Sequence, residues 1–264
     1  MVDKSEKFRW FVRLGYFSRA VFYILIGFLA LTAGSADTGP EGVFRTVQDF
    51  PAGTALLWIV AIGLLSYALF RMCSPLFDIE HEGSDRKGIA VRIGHAGSAI
   101  GHLVLAYSAV RLATGNGSGG GDTAQQAAAG VLSVQFGSFV LGLLGVAFIA
   151  TGLFQAKKAY SGEFMHRISA SAPDATRWLG GAGFAARAVV FVVIGWSLIH
   201  SAWISSSAQV MSLGSAISSL HDEGILFTLV AAGLILFGLF SLVLARYRIV
   251  PDLGAGGTVP TFRL

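Results

Sequence analysis

Six apolar stretches, each about 20 residues long, constrain what this 264-residue chain can fold into. A helix needs about 20 apolar residues to cross the hydrocarbon core of a bilayer. No Asp, Glu or Pro lies inside any of the six, and glycine–serine runs such as Gly115 to Gly121 lie in the connectors. The pattern predicts an all-α, polytopic membrane protein. Its spans are expected at 11–33, 54–73, 93–113, 136–156, 180–202 and 225–245.

The composition agrees with a membrane protein and excludes a soluble globular one. Charged residues make up 13% of the chain, about half of what a water-facing surface requires. The net charge of +4 does not indicate nucleic-acid binding, because most Lys and Arg flank the apolar stretches, as topology signals do. A single cysteine, Cys73, excludes an intrachain disulfide and a CxxC motif.

The basic residues also predict the orientation. Of the 19 Lys and Arg residues, only Arg45 and Arg111 fall on one side of the predicted membrane, and the others fall on the opposite side. Because basic residues stay in the cytoplasm, we expect a cytoplasmic (inner) membrane protein with both termini cytoplasmic. A charged segment before the first stretch resembles a signal peptide, but the internal repeat favours a permanent span.

The chain contains three copies of one unit. The segment Gly15–Gly27 matches Gly183–Gly195 without a gap, and Gly94–His102 is a weaker middle copy. Each copy closes on a second apolar stretch, and these stretches align on Ala68, Gly152 and Gly238. The repeats are expected at about 10–75, 90–158 and 178–247.

Each unit crosses the membrane twice, so the three copies are expected to be parallel. Parallel repeats are related by an axis along the membrane normal. We therefore expect a single membrane domain that forms a pseudo-threefold bundle, with the first helices of the copies meeting near the centre.

The outer connectors carry apolar residues at helical spacing. We expect three short interfacial helices there, although lids over an outward-open cavity are an alternative. The stripes consist of Val43, Phe44, Val47 and Phe50; Ala124, Ala127, Ala128 and Val131; and Leu213, Ile217 and Leu220.

Two runs carry a family resemblance. The run Arg13-Leu-Gly-Tyr-x-x-Arg-Ala-Val-x-Tyr-x-x-x-Gly and the closing Leu57-Trp58-x-x-Ala61-x-Gly63-Leu64-x-x-Tyr67-Ala68-x-x-Arg71 resemble the bacterial membrane family named for domain of unknown function 1206. The resemblance covers nearly the whole chain and implies a triplicated domain. It implies no reaction, ligand or partner.

Arginines stand at equivalent positions in two copies. Arg19 and Arg187 lie about six residues into their spans, roughly 9 Å deep, and Ser98 replaces them in the middle copy. A charge at this depth is a candidate for function. Snorkelling to the headgroups or a tie between helices is the favoured explanation, and lining a polar path is the alternative.

Two histidines distinguish the middle copy. His95 and His102 share a helix face and replace Tyr16 and Tyr23 of the first copy. We expect these slots to pack or to hydrogen-bond between helices. A proton relay, a metal site and haem ligation are the functional alternatives.

Glycine pairs predict close helix crossings. Gly97 and Gly101 form a GxxxG motif, and Ser138 with Gly142 forms a similar small pair. Such faces fit either contacts within the bundle or contacts with a membrane partner or a second copy. Signatures of enzymes, including HExxH, P-loop and GxSxG motifs, are absent from the sequence. We therefore expect no catalysis, no metal and no cofactor.

Three functions remain open. A membrane scaffold or accessory protein is our first expectation. A passive small-solute or ion pathway along the pseudo-threefold axis is the alternative, and a haem- or metal-binding redox protein is less favoured. The intramembrane polar positions on which these hypotheses depend are Arg19, Tyr23, His95, Ser98, His102 and Arg187.

Overall fold

The computed structural model of the chain describes residues 4–33, 40–77, 83–116 and 123–250. This part of the chain is almost entirely helical. Six long helices are α1 Lys4–Ala33, α3 Gly53–Phe77, α4 Arg86–Ala113, α6 Gly137–Ser161, α7 Thr176–Trp203 and α9 Ile225–Tyr247. Three short ones are α2 Pro40–Gln48, α5 Thr123–Leu132 and α8 Leu213–Ser218. All six long helices are long and apolar enough to cross a membrane, which confirms the predicted spans.

Helix ends follow local chemistry. The Asp85 carboxylate accepts a hydrogen bond of 3.0 Å from the Gly88 amide at the start of α4, which satisfies a donor that the first turn leaves unpaired. At the C-terminal end of α6, Gly162 takes a positive φ of 70° and ends the helix. Ser212 and Ser215 form a capping box at the start of α8.

The long helices pack in a cyclic order. Between copies, α3 packs against α4, α6 against α7, and α9 against α1, so the second helix of each copy meets the first helix of the next. Equivalent glycines make equivalent contacts: a Cβ on Gly27 would lie 2.6 Å from the Ala231 carbonyl oxygen, and one on Gly195 would lie 2.7 Å from that of Gly145. The pseudo-threefold bundle is confirmed, but α1, α4 and α7 form no extensive interface with one another in the described residues, so the expected meeting of the first helices at the centre is not observed.

The middle copy departs from this symmetry. Within the first copy α1 packs against α3, and within the third copy α7 packs against α9. Within the middle copy, α4 and α6 form no extensive interface in the described part of the chain. Only 17% of the apolar window of α4 and 22% of that of α6 are buried, against 61% for α1. α4 therefore packs with the first copy, whereas α6 packs with the third.

Glycine contacts show where the middle copy opens. A Cβ on Gly15 would lie 2.8 Å from the Tyr67 Cα, and one on Gly183 would lie 2.7 Å from the Phe237 Cα. The equivalent Gly94 has nothing within 4 Å of its Cβ position, and the same is true of Gly97 and Gly101. We call this space the open seam.

Two sides bound the open seam. On α4 it is faced by the three glycines Gly94, Gly97 and Gly101. By the repeat alignment, the α6 residues that face the open seam are Ala147, which is exposed, and Thr151, which is partly buried.

The predicted outer helices are present. The first and third bury their apolar stripes against the long helices, whereas Ala127 of the second stripe is exposed. Val43, Phe44 and Val47 of α2 are buried against α1, α3 and α4. Ile217 of α8 and Leu220 just after it are buried in the same way. Phe50, which the periodicity assigned to the first stripe, is exposed because α2 ends at Gln48.

Candidate functional site

Arg19 ties three helices together. Its side chain is 4% exposed, although it lies within a membrane span. Nη1 donates a hydrogen bond of 2.6 Å to the Tyr67 hydroxyl on α3, and Nε donates one of 3.1 Å to the Ser241 hydroxyl on α9. This geometry agrees with the predicted tie between helices rather than with snorkelling to the headgroups.

Aromatic rings surround the same guanidinium. The Arg19 Cζ lies 4.7 to 4.9 Å from the ring centroids of Tyr16, Tyr67 and Phe237. Ring faces attract a cation most strongly where water is excluded. The rings therefore replace part of the hydration that Arg19 loses on burial.

Arg187 reaches the same region from α7. Its Cζ lies 4.5 Å from the Phe237 ring centroid, 5.2 Å from that of Phe191 and 5.4 Å from that of Tyr23. Since Phe237 contacts Arg19 as well, the two guanidinium carbons are within about 10 Å of each other. The two arginines and their rings are called the arginine–aromatic cluster: Arg19, Arg187, Tyr16, Tyr23, Tyr67, Phe191 and Phe237.

His102 joins the cluster through Tyr67. Its ring centroid lies 4.4 Å from that of Tyr67, and its Nδ1 lies 2.7 Å from the Ser98 carbonyl oxygen. Tyr23, the equivalent residue in the first copy, packs its ring 4.9 Å from that of Phe237. The predicted ring slot between helices is therefore present in both copies.

The remaining predicted positions lie nearby. Ser98 contributes its carbonyl oxygen to His102, and its side chain is partly buried. His95 is partly buried about 10 Å further toward the start of α4. The structure thus brings Arg19, Tyr23, His102 and Arg187 together, whereas it does not assign His95 to the cluster.

Sequence reasoning missed the groups that satisfy the arginines. The Tyr67 hydroxyl accepts from both Arg19 and Arg71, the latter at 3.0 Å. The i, i+4 spacing of Tyr67 and Arg71 in the closing motif was visible, but it does not indicate the partner on α1. The sequence did not identify Ser241, because a single serine in a span commonly donates a hydrogen bond to a carbonyl of its own helix. The Ser241 hydroxyl does so here, to the Phe237 carbonyl oxygen.

The cluster carries uncompensated positive charge. No Asp or Glu lies inside the six spans. Among the described residues neither Arg19 nor Arg187 forms an ion pair. Three buried nitrogens, Arg19 Nη2, Arg187 Nε and His102 Nε2, have no hydrogen-bond partner in the described part of the chain.

Toward the outer end the bundle is mainly apolar. Along α1 the buried residues after Tyr23 are Ile26, Leu29 and Ala30. Along α7 they are Ile194, Gly195 and Leu198 together with two serines, Ser197 and Ser201. The buried stripes of α2 and α8 continue this apolar packing to the outer end.

Comparison with known proteins places these features in a family. Residues 14–76, 93–162 and 182–248 match the family profile described as Domain of Unknown Function (DUF1206). A relative from Bacillus subtilis (strain 168), named Uncharacterized protein YxxB, is 32% identical over 260 residues, which cover 93% of this chain and 94% of the relative. No solved structure matches the chain.

Proposed function

We propose that this chain, which belongs to the DUF1206 family, is a non-transporting, non-enzymatic membrane scaffold or accessory protein. The supporting observation is the use made of the polar groups in the membrane. Arg19 contacts hydroxyls and rings of neighbouring helices, and the buried side chains of the outer half of the bundle are mainly apolar. Such an arrangement stabilises helix packing, and it uses the Arg19 guanidinium in contacts between helices.

We place the protein in the cytoplasmic membrane of a bacterium, with both termini in the cytoplasm. The support is the distribution of basic residues, because Arg45 and Arg111 are the exceptions to a one-sided pattern. A partner membrane protein, or a second copy, is expected to bind through glycine-rich helix faces.

A flux assay tests the proposal. We expect the purified protein in liposomes to pass potassium, chloride and glycerol no faster than protein-free liposomes. The pathway alternative predicts flux that His102→Leu alters, because the His102 ring packs against Tyr67 of the arginine–aromatic cluster. Flux that this variant changes would overturn the scaffold proposal.

A second arm tests the accessory role directly. In-cell crosslinking should recover one membrane partner at fixed stoichiometry, and deletion of this protein should lower the amount of that partner's assembled complex. The redox alternative predicts a Soret band in the purified protein, whereas the scaffold predicts a colourless preparation.

A further inference from the structure

The Tyr16 side chain is enclosed in the bundle, yet its hydroxyl has no partner. The residue is 0% exposed, and its oxygen forms no hydrogen bond within the described part of the chain. Its ring packs edge-on against Tyr67, with centroids 5.1 Å apart, and lies 6.1 Å from the ring of Phe70. A buried hydroxyl without a partner is destabilising, so it marks a place where a group from outside the chain gains a hydrogen bond by binding.

Three arginines lie around this hydroxyl. The Cζ of Arg19 is 4.7 Å from the Tyr16 ring centroid, and that of Arg248, just after α9, is 5.3 Å from it. Arg71 of α3 donates to the same Tyr67 oxygen as Arg19. All three arginines interact electrostatically with the Tyr16 hydroxyl, and the strongest of its interactions include no acidic group. Tyr16, Arg19, Arg71 and Arg248 are called the three-arginine site.

Arg71 supplies the arginine that the middle copy lacks. Where α9 packs against α1, Ser241 bonds Arg19. Where α3 packs against α4, the equivalent positions hold Arg71 and Ser98. Each interface thus combines one arginine with one serine, with the two residue types exchanged between the helices. Because of this exchange, two positive nitrogens meet at the Tyr67 hydroxyl within about 6 Å of each other, and they repel strongly at low dielectric.

A phosphate group matches the chemistry of the site. The direct donors are Arg19 Nη2 and the Tyr16 hydroxyl, which are both buried and have no partner among the described residues. Arg71 and Arg248 add positive charge at short range. Guanidinium and hydroxyl groups bind oxyanions through charge-assisted hydrogen bonds. Water would satisfy the donors, but it carries no charge to offset the repulsion between the guanidiniums.

We infer that the three-arginine site binds one phosphate group, which enters from the end of the bundle where α9 ends. Arg71 lies in the last two turns of α3 and Arg248 directly follows α9, and both side chains are only partly buried. The phosphate belongs either to a soluble ion or to a phospholipid headgroup at that end of the membrane. The inference goes beyond the scaffold proposal and does not rest on it, because an anion bound at one end requires no route through the bundle.

Thermal unfolding of the purified protein in detergent tests the site. We expect inorganic phosphate to raise the melting temperature more than sodium chloride does at the same ionic strength. Tyr16→Phe should weaken phosphate binding about tenfold or more, because it deletes a hydrogen bond to a charged group. Without phosphate this variant should be at least as stable as the parent, because the hydroxyl that it removes has no partner in the described structure. Tyr160→Phe is the control, since Tyr160 is 91% exposed.

Two charge variants give a second arm. Arg248→Gln should weaken phosphate binding severalfold, because it removes a positive charge 5.3 Å from the Tyr16 ring. Arg246→Gln removes the same charge from an exposed residue two positions earlier and should leave binding nearly unchanged. Both variants should elute as single monodisperse peaks.

Native mass spectrometry distinguishes the two sources of the phosphate. Phosphatidylglycerol that the parent protein retains and Tyr16→Phe loses would identify a lipid headgroup, whereas a melting-temperature rise with inorganic phosphate alone would identify a soluble oxyanion. The inference is wrong if neither ligand binds, or if sodium chloride stabilises the protein as much as phosphate does. Equal binding by Tyr16→Phe and Tyr160→Phe would also contradict it. Flux data do not bear on any of these outcomes.

Discussion

At the scale of single residues, the structure shows how a membrane span accommodates an arginine without a carboxylate. Arg19 bonds to two hydroxyls and lies beside three rings. The Tyr67 hydroxyl is central, because it accepts from Arg19 and Arg71 at once. Polar contacts between membrane helices contribute about 1–2 kcal/mol at most. The main effect of the Tyr67 hydroxyl is therefore that it gives two arginine side chains a hydrogen-bond acceptor.

Removing that hydroxyl should destabilise the bundle. Tyr67→Phe keeps the ring and deletes the acceptor of both guanidiniums, so we expect a loss of about 1–2 kcal/mol. Unfolding by steric trapping in bicelles measures it. Tyr160→Phe is the control, since Tyr160 is 91% exposed, and equal stability of the two variants would contradict the role given to Tyr67.

The sequence predicted part of this site. Equivalent arginines and ring slots in the repeat identified Arg19, Tyr23, His102 and Arg187, which the structure brings together. It did not identify Tyr67 or Ser241 as partners of Arg19, because the rotation of each helix about its axis decides which side chains meet. That rotation depends on packing of all six helices, which no local pattern encodes.

At the scale of helices, glycine marks the contacts that two copies make and the third does not. The GxxxG motif of Gly97 and Gly101 predicted a close crossing, yet neither residue has a neighbour within 4 Å of its Cβ position. Gly142 of the other small pair does meet α7, at 3.6 Å from the Ala202 Cβ. The motif specifies a face that permits close approach, but it does not determine whether a partner from the same chain occupies that face.

A matched pair of alanine substitutions tests this difference. Gly15→Ala brings a methyl to 2.8 Å from the Tyr67 Cα, and overpacking of this kind costs about 1–3 kcal/mol. Gly94→Ala at the equivalent position meets nothing and should leave the melting temperature unchanged. Thermal unfolding monitored by light scattering in detergent compares them, and a similar loss for Gly94→Ala would show that the seam is closed.

At the scale of the whole molecule, the sequence predicted the number of spans, their triplication and their parallel order. The structure and the family match confirm them. These features follow from hydrophobic length and from repetition, which are local properties. The sequence could not predict the separation of α4 from α6, because this separation depends on the balance between contacts within a copy and contacts between copies.

Cysteine labelling tests the proposed orientation. In a Cys73→Ser background, Arg45→Cys on α2 should react with a membrane-impermeant maleimide in intact cells, because Arg45 is exposed at the outer end. Tyr160→Cys, at the other end of α6, should react only after lysis. The reverse pattern would place both termini outside the cytoplasm.

The open seam also has a consequence for how the chain assembles. The sequence is triplicate, but in space the long helices form an open row in the order α4, α3, α1, α9, α7 and α6, with the seam between its two ends. Most neighbours in this row are also close along the chain, so those pairs are expected to form early during synthesis. Contact between α1 and α9 joins residues more than 200 positions apart and must wait for the last span to be inserted. The α1–α9 interface is therefore expected to be the last of the extensive interfaces to form.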